Sequence, residues 1–292
     1  MAAEAAYCLA QSPSPPAQIV LLGRSESRIQ PVIDRIGEIN SSIKTAFIEL
    51  DLSDLKSVRA CATKVQSTTS VIDVLINSAG IMALEDYTLS TDGYEMQLAA
   101  CHIGHFLLTG LLLAQLQASS AARVVTLTST GYEGSDFRFD DFNFSNGKTY
   151  HRWVAYGQAK TANIMFTTEL ARRAAAKDLH LTAFVLHPGV ILSSGIMKAV
   201  SMEALTTALE DTKVAYAAQG QEFVPEQLKS IEHGCSTMLV AALAPGLDGQ
   251  SGSFLKDCQV VGEDELKPWV KDQEKAKKLW DLSEGWVGEK FL

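Results

Sequence analysis

A phenol and an ammonium stand four residues apart at Tyr156-Gly157-Gln158-Ala159-Lys160. On a helix that spacing sets both side chains on one face, one turn apart. A lysine charge beside a phenol favours the phenolate and draws down a pKa that otherwise sits near ~10, bringing proton transfer toward neutral pH. The same pair also suits a half-exposed helix face with no chemistry at all, so the residues around it must decide. Cys101-His102-x-x-His105 is a second group of chemically able side chains. Its histidines can face together on a helix, but no fourth ligand is evident and no metal site is indicated. Cys8, Cys61, Cys101, Cys235 and Cys258 are odd in number and scattered, with no Cys-x-x-Cys. They outline no disulfide framework and suit a reducing, intracellular setting.

The bulk composition narrows the partners. With 292 residues, 47% hydrophobic and 20% charged, the chain can bury the core of one large α/β domain. A net charge of −9 offers no basic surface for nucleic acid and no polybasic membrane patch, which favours small-molecule partners. Glu4 precedes the first apolar stretch with no basic residue before it, unlike a secretory signal. The richest apolar run, 106–114, is far below the ~20 residues that span a bilayer. A soluble, cytoplasmic protein is expected.

The apolar pattern of the chain sets the elements that hold Tyr156 and Lys160. Residues 2–11 have helix-forming composition, and Ser12-Pro13-Ser14-Pro15-Pro16 ends them. Apolar strands are expected at 18–22, 45–50, 71–76, 123–128 and 181–186, with a short one at 253–255. Between them fall helices from Gly23-Arg24-Ser25 to about residue 40, with Pro31 near its first turn; from an Asp54 cap to about 68; from Asp92 through 117; and around Tyr156 to about 177. The stretch from Pro188 to Phe223 reads as irregular. Pro225 opens a helix ending near 244, and a charged tail helix covers 267–282.

Strands alternating with helices imply parallel pairing through right-handed crossovers: an α/β fold with a doubly wound parallel sheet, Rossmann-type, in a single domain. Such sheets bind ligands at the carboxyl ends of their strands. Those ends carry Gly23-Arg24, Asp51, Asn77 to Gly80, Ser129 and Pro188-Gly189. Each alone suits a loop; together, in order and at one edge, they argue for a nucleotide site.

Read in sequence, Asn77-Ser78-Ala79-Gly80, Ser129, Tyr156-x-x-x-Lys160 and Pro188-Gly189 resemble the ordered motifs of the short-chain dehydrogenase/reductase family, over almost the whole chain. The stretch from Glu95 to Phe106, His187-Pro188-Gly189 and Lys256-Asp257-Cys258-Gln259 look most like its retinol-dehydrogenase-like branch. The resemblance implies an NADP-dependent oxidoreductase that interconverts a carbonyl and an alcohol, with Tyr156 as general acid or base and Ser129 as a second hydrogen-bond donor. Lys160 would lower the pKa of Tyr156 and hold the nicotinamide ribose. The backbone after Pro188 and Gly189, with Ile191 and Ser193, would meet the carboxamide. Asn77, Ala79 and Gly80 would line the adenosine side, and Asp51, followed by Leu52, would reach the adenine or else cap the next turn. Arg24 stands where NAD-binding relatives commonly carry an acid; a cation there suits a 2′-phosphate and so NADP rather than NAD, though it also suits a solvated turn.

Three departures from the family pattern matter. Cys101 stands where the branch usually has an Asn thought to hold a water linking the lysine to solvent, so proton supply is affected more than hydride transfer. Ser193 stands where Thr is common and keeps the hydroxyl. Most seriously, the strand and Thr-Gly-x-x-x-Gly-x-Gly turn that hold the pyrophosphate are not found, and residues 2–10 look like the helix that follows them. The missing strand would lie between the strands at 18–22 and 71–76. Its absence leaves two strand edges unpartnered, which predicts poor folding and weak NADPH binding for an incomplete gene product. The competing functional reading is accordingly a non-catalytic relative lacking the phosphate loop. A flavin- or light-dependent reduction is suggested by some relatives and required by no motif. Residues 190–224 are expected to cover the substrate and 262–292 to form a tail. Ile196, Met197, Met202, Leu205, Leu209, Tyr216 and Phe223 hint at a lipophilic ligand or a small lid core. A homo-oligomer built through the Phe106 and Tyr156 helices is a further expectation from the resemblance.

Overall fold

The computed structural model describes all residues except 219 and 221, and the side chains of all but these and 198, 199, 215, 216 and 218. Tyr216 therefore lies outside the described side chains. In chain order the elements are α1 (Ala2–Gln11), β1 (Gln18–Gly23), α2 (Glu26–Ile39), β2 (Lys44–Glu49), α3 (Leu55–Thr68) and β3 (Val74–Asn77). A helical stretch follows as α4 (Met96–Leu98), a π turn (Ala99–Ile103), α5 (Gly104–Leu111) and α6 (Leu113–Gln117). Then come β4 (Ala122–Leu127), a 3-10 turn (Thr130–Gly134), α7 (Arg152–Ala176), β5 (Leu181–His187), α8 (Met202–Ala218), α9 (Ile231–Leu243), β6 (Phe254–Lys256), β7 (Gln259–Val260), α10 (Pro268–Lys271) and α11 (Gln273–Val287).

The doubly wound layout follows from burial on both faces. β4 and β5 are nearly continuous apolar runs, as central parallel strands require. Val124 packs with Phe106 and Phe166 on one side of the sheet, while Val125 packs with Cys235 and Met238 on the other. β3, β4, β5 and β6 pair in parallel, and β7 closes the edge antiparallel. β1 and β2 form a separate parallel pair in register from Gln18 opposite Lys44 to Gly23 opposite Glu49. Among the described residues no ladder joins β1 to β3, the place where the family resemblance expects a strand. α1 spans the interruption: Ala5 belongs to the core of Val125, Phe184 and Met238, while Ala6 and Ala10 pack with Ile36 and Ile43 under α2.

Several elements differ from the sequence expectation for identifiable reasons. The helix expected from Asp92 begins at Met96, where the Glu95 carboxylate accepts the N–H groups of Gln97 at 3.0 Å and Leu98 at 2.8 Å. Asp92 instead accepts the Leu55 N–H at 2.9 Å, steadying the start of α3 beside the expected Asp54 cap. The irregular stretch after Pro188 contains α8, and the helix assigned to Pro225 starts later, capped by Ser230, whose hydroxyl accepts the His233 N–H. Pro31 sits inside α2 rather than in its first turn. The tail helix divides at Asp272, whose carboxylate caps α11 through the Lys275 N–H at 3.1 Å.

Candidate active site

α7 and the end of β4 are tied together by polar bonds from buried groups, and this sets the place of Tyr156 and Lys160. The Thr128 hydroxyl donates to the Lys160 carbonyl at 2.8 Å, and the Asn163 amide donates to the Leu127 carbonyl at 2.9 Å. Lys160 Nζ donates to that same carbonyl at 3.2 Å and lies 5.6 Å from the centre of the Tyr156 ring. The chain then turns at Ser129, whose Oγ accepts the Gly131 N–H at 3.1 Å, and Gly131 lies between that oxygen and the Tyr156 ring. Two glycines allow this approach. A Cβ on Gly131 would stand 2.9 Å from Tyr156 Cε1, and one on Gly157 would stand 2.8 Å from the Gly131 carbonyl oxygen. Sequence reasoning missed both, although Ser129-x-Gly131 and Tyr156-Gly157 hold a small residue beside each reactive one.

Ser129, Tyr156 and Lys160 are thus brought together. The electrostatics correct one expectation. Burial raises the Tyr156 pKa, Lys160 and Ser129 lower it, and nearby Cys101 raises it; the net direction is above the ordinary phenol value. The lysine acts with the expected sign, but desolvation outweighs it, because Tyr156 is almost wholly enclosed. The phenol is therefore protonated at neutral pH.

Cys101 lies on the π turn, fully buried, with its thiol donating to the Ile81 carbonyl at 3.4 Å. A Cβ on Gly80 would stand 3.1 Å from Cys101 Sγ and 3.6 Å from Lys160 Nζ, so Gly80, Cys101 and Lys160 share one wall. The adjoining histidines have separate partners: His102 Nε2 meets the Ser283 hydroxyl at 2.9 Å, and His105 Nε2 donates to the Ala79 carbonyl at 2.9 Å. Burial pushes His102 down to about 3 and His105 down to about 4, so both are neutral in the fold. An unfolded imidazole protonates near pH ~6.5. Between that pH and the lowered values the unfolded chain binds more protons, so folding stability falls as pH drops through this window. Urea midpoints measured from pH 7 to 5 should decline, with a slope of up to ~1.4 kcal/mol per pH unit for each histidine. Replacing both by glutamine should flatten the slope.

The remaining candidate residues collect at the strand ends, with mixed orientations. Asn77 is buried, its amide donating to the Thr109 hydroxyl at 3.0 Å, so its side chain points between sheet and α5. Asp51 holds its own turn, accepting the Ser53 N–H at 2.9 Å and the Ser53 hydroxyl at 2.6 Å, the capping role among the two expected for it. Leu52 is buried under Gly104, where a Cβ would stand 2.3 Å from the Leu52 carbonyl oxygen. Arg24 and Ser193 are exposed, and Ile191 is buried against Gly234. Gly189, after Pro188, has a φ of +89° that side-chain-bearing residues rarely adopt.

His187, Glu226 and Lys256 form a further cluster at the end of β5 and β6 that sequence reasoning did not single out. The only signal was the position of His187 before Pro188 and of Lys256 in the Lys256-Asp257-Cys258-Gln259 motif. His187 Nε2 lies 2.8 Å from Glu226 Oε2, and Lys256 Nζ donates to Glu226 Oε1. Burial raises the Glu226 pKa, but His187 and Lys256 outweigh it and hold the carboxyl down at about 2.

These groups fit one end of a nicotinamide cofactor better than the other. The Lys160 ammonium, the Tyr156 hydroxyl and the absence of a side chain at Gly80 beside them offer a cation, a polar hydroxyl and close approach to a riboside, whereas Gly189 is covered by the Lys229 side chain. Arg24 offers a cation at the end of β1 for a phosphate. For the pyrophosphate, the sequence supplies no glycine-rich turn between a strand and a helix.

The family model described as short chain dehydrogenase matches residues 5–138. Human retinol dehydrogenase 14 is 36% identical over 259 residues, covering 89% of this chain and 70% of its own length. Among solved structures, an uncharacterised protein from Mycobacterium paratuberculosis aligns with a TM-score of 0.68 and 30% identity over 99% of this chain and 90% of its own. A short chain dehydrogenase from Burkholderia cenocepacia, solved in complex with NADP, aligns with a TM-score of 0.62 over 87% of this chain and 89% of its own; at 19% identity it shows the shared fold. No helix among the described residues is long and apolar enough to cross a membrane.

Proposed function

The chain belongs to the short-chain dehydrogenase/reductase family, in its retinol-dehydrogenase-like branch, and on that premise we propose that it interconverts a lipophilic aldehyde or ketone with its alcohol, using NADP and Tyr156 as proton donor and acceptor. The family assigns the chain to the NAD(P)-dependent oxidoreductases. The observation that carries the finer reading is the buried Lys160 ammonium 5.6 Å from the Tyr156 ring centre, with the Ser129 turn packed against the same ring through Gly131. When bound, the cofactor supplies or accepts the hydride at the carbonyl carbon. The phenol, kept protonated by burial, donates to the developing alkoxide, and the Ser129 hydroxyl offers it a second hydrogen bond. Lys160 offsets negative charge on the phenolate left behind. Met82, Trp153, Ile196, Met197 and Val200 pack around Tyr156, which supports an apolar substrate. The five free thiols suit the cytoplasm as the setting.

The test is oxidation of NADPH with a panel of straight-chain aldehydes and retinaldehyde. Turnover that grows with chain length supports the reading; turnover of short polar carbonyls alone sinks its substrate class. One observation favours a second reading, a relative without turnover: β1 and β3 share no ladder. NADPH binding without oxidation of any carbonyl would select it.

Arg24 gives the cofactor choice its own prediction. Arg24→Glu should raise the KM for NADPH by about tenfold to a hundredfold, the worth of a charge-assisted phosphate contact, and leave that for NADH within about twofold. Equal changes for both cofactors would remove Arg24 from the phosphate site.

A further inference from the structure

Glu226 lies on the stretch that returns the chain from α8 to the sheet. That stretch is fastened beside Pro188 and Gly189 by a parallel bridge between Val190 and Leu228 and by the Lys229 N–H donating to the Val190 carbonyl at 2.9 Å. The Glu226 carboxylate reaches two strands, β5 through His187 and β6 through Lys256. The other side of the His187 ring faces the site: Nδ1 accepts the Thr130 N–H, a long bond at 3.4 Å. An N–H directed at Nδ1 leaves that nitrogen its lone pair, so the ring proton sits on Nε2 and is donated to Glu226. His187 is almost fully buried, and Thr130 directly follows Ser129.

We infer that Glu226 is a positioning residue: through His187 it holds the Ser129-Thr130 turn against the end of β5 and thereby sets the Ser129 hydroxyl against Tyr156. The inference rests on the reading of Ser129 and Tyr156 proposed above. It joins two parts of the molecule, because the carboxylate that fastens the return from α8 also fixes the turn carrying the second hydrogen-bond donor. Lys256 serves the other oxygen of the same carboxylate.

Glu226→Ala should lower kcat about tenfold and leave the carbonyl KM within about twofold, since a misplaced donor weakens stabilisation of the alkoxide more than binding. Glu226→Gln, whose carbonyl oxygen can still accept the His187 proton, should restore kcat to within about twofold, and Lys256→Met should keep it. If Glu226→Ala does not fold, His187→Phe, which keeps a ring and deletes both nitrogens, should show the same loss. A rise in KM at unchanged kcat would overturn the inference, because it would leave Glu226 with an anchoring role alone. Imidazole NMR gives a readout that needs no turnover: His187 should report the Nε2–H tautomer in the wild type and in Glu226→Gln, and mixed tautomers in Glu226→Ala. Identical His187 signals in all three would also overturn the inference. If the wild-type chain turned over no carbonyl, the reading of Tyr156 would fall while the His187 signals still decided the role of Glu226.

Discussion

Tyr156→Phe is expected to lower kcat for carbonyl reduction by ~10²–10⁴-fold, the usual share of a positioned general acid. The ring that packs against Met82 and Ala83 is retained, so the melting temperature and the cofactor Kd should barely move. Ser129 keeps the Gly131 N–H at 3.1 Å, so the turn holds its shape. The raised pKa of Tyr156 adds a direction. Reduction needs the protonated phenol, which burial secures at neutral pH; oxidation of the alcohol needs the phenolate, so its rate should rise with pH toward the alkaline range. Single-turnover oxidation of NADPH, with a parallel thermal melt, measures both effects. A variant keeping more than about a tenth of the wild-type kcat would show that the proton comes from another group.

What the sequence made legible was local. Tyr156 and Lys160 could be paired because one helix sets their geometry, and the strands now seen as β4 and β5 could be read because burial on both faces demands uninterrupted apolar runs. The order of the strand ends then placed the site at one edge of the sheet. What escaped depended on partners distant in the chain. Asp92 looked like a helix start, but its carboxylate serves Leu55, 37 residues earlier. His187 and Glu226 are 39 residues apart, with α8 between them. α8 itself was hidden because threonines and paired acids break its apolar pattern. The π turn at Cys101 leaves no compositional trace, since one extra residue per turn changes hydrogen bonding and not residue type. Even the sign of the Tyr156 shift required burial, which spacing alone does not reveal.

The second large effect concerns the helix at the far end of the chain. Trp280→Ala should destabilise the fold by ~3–5 kcal/mol, a large part of the ~5–15 kcal/mol of an ordinary domain. Trp280 sits 5.0 Å from the Phe106 ring, edge to face, and stacks 6.0 Å from Phe166 at 15°. The Arg173 guanidinium lies 4.7 Å above it, and its Nε1 donates to Glu284 Oε1 at 3.0 Å. Removing the indole leaves a cavity among aromatics and takes one donor from a mostly buried carboxylate, which keeps the Phe291 N–H at 3.0 Å. The consequence reaches the helices of the site. α11 covers the side of α5 and α7 that carries Phe106 and Phe166, the two helices expected from the sequence to meet a second copy, and its Ser283 holds His102 beside Cys101. Urea unfolding should show the loss, and light scattering should show association of the newly exposed apolar face. Well below the lowered melting point, turnover should stay within about threefold, because Tyr156 and Lys160 are held by β4 rather than by α11. A loss under about 1 kcal/mol would make α11 an appendage to the core; the packing of Phe106, Phe166 and Phe291 around and beside Trp280 argues that it is part of it.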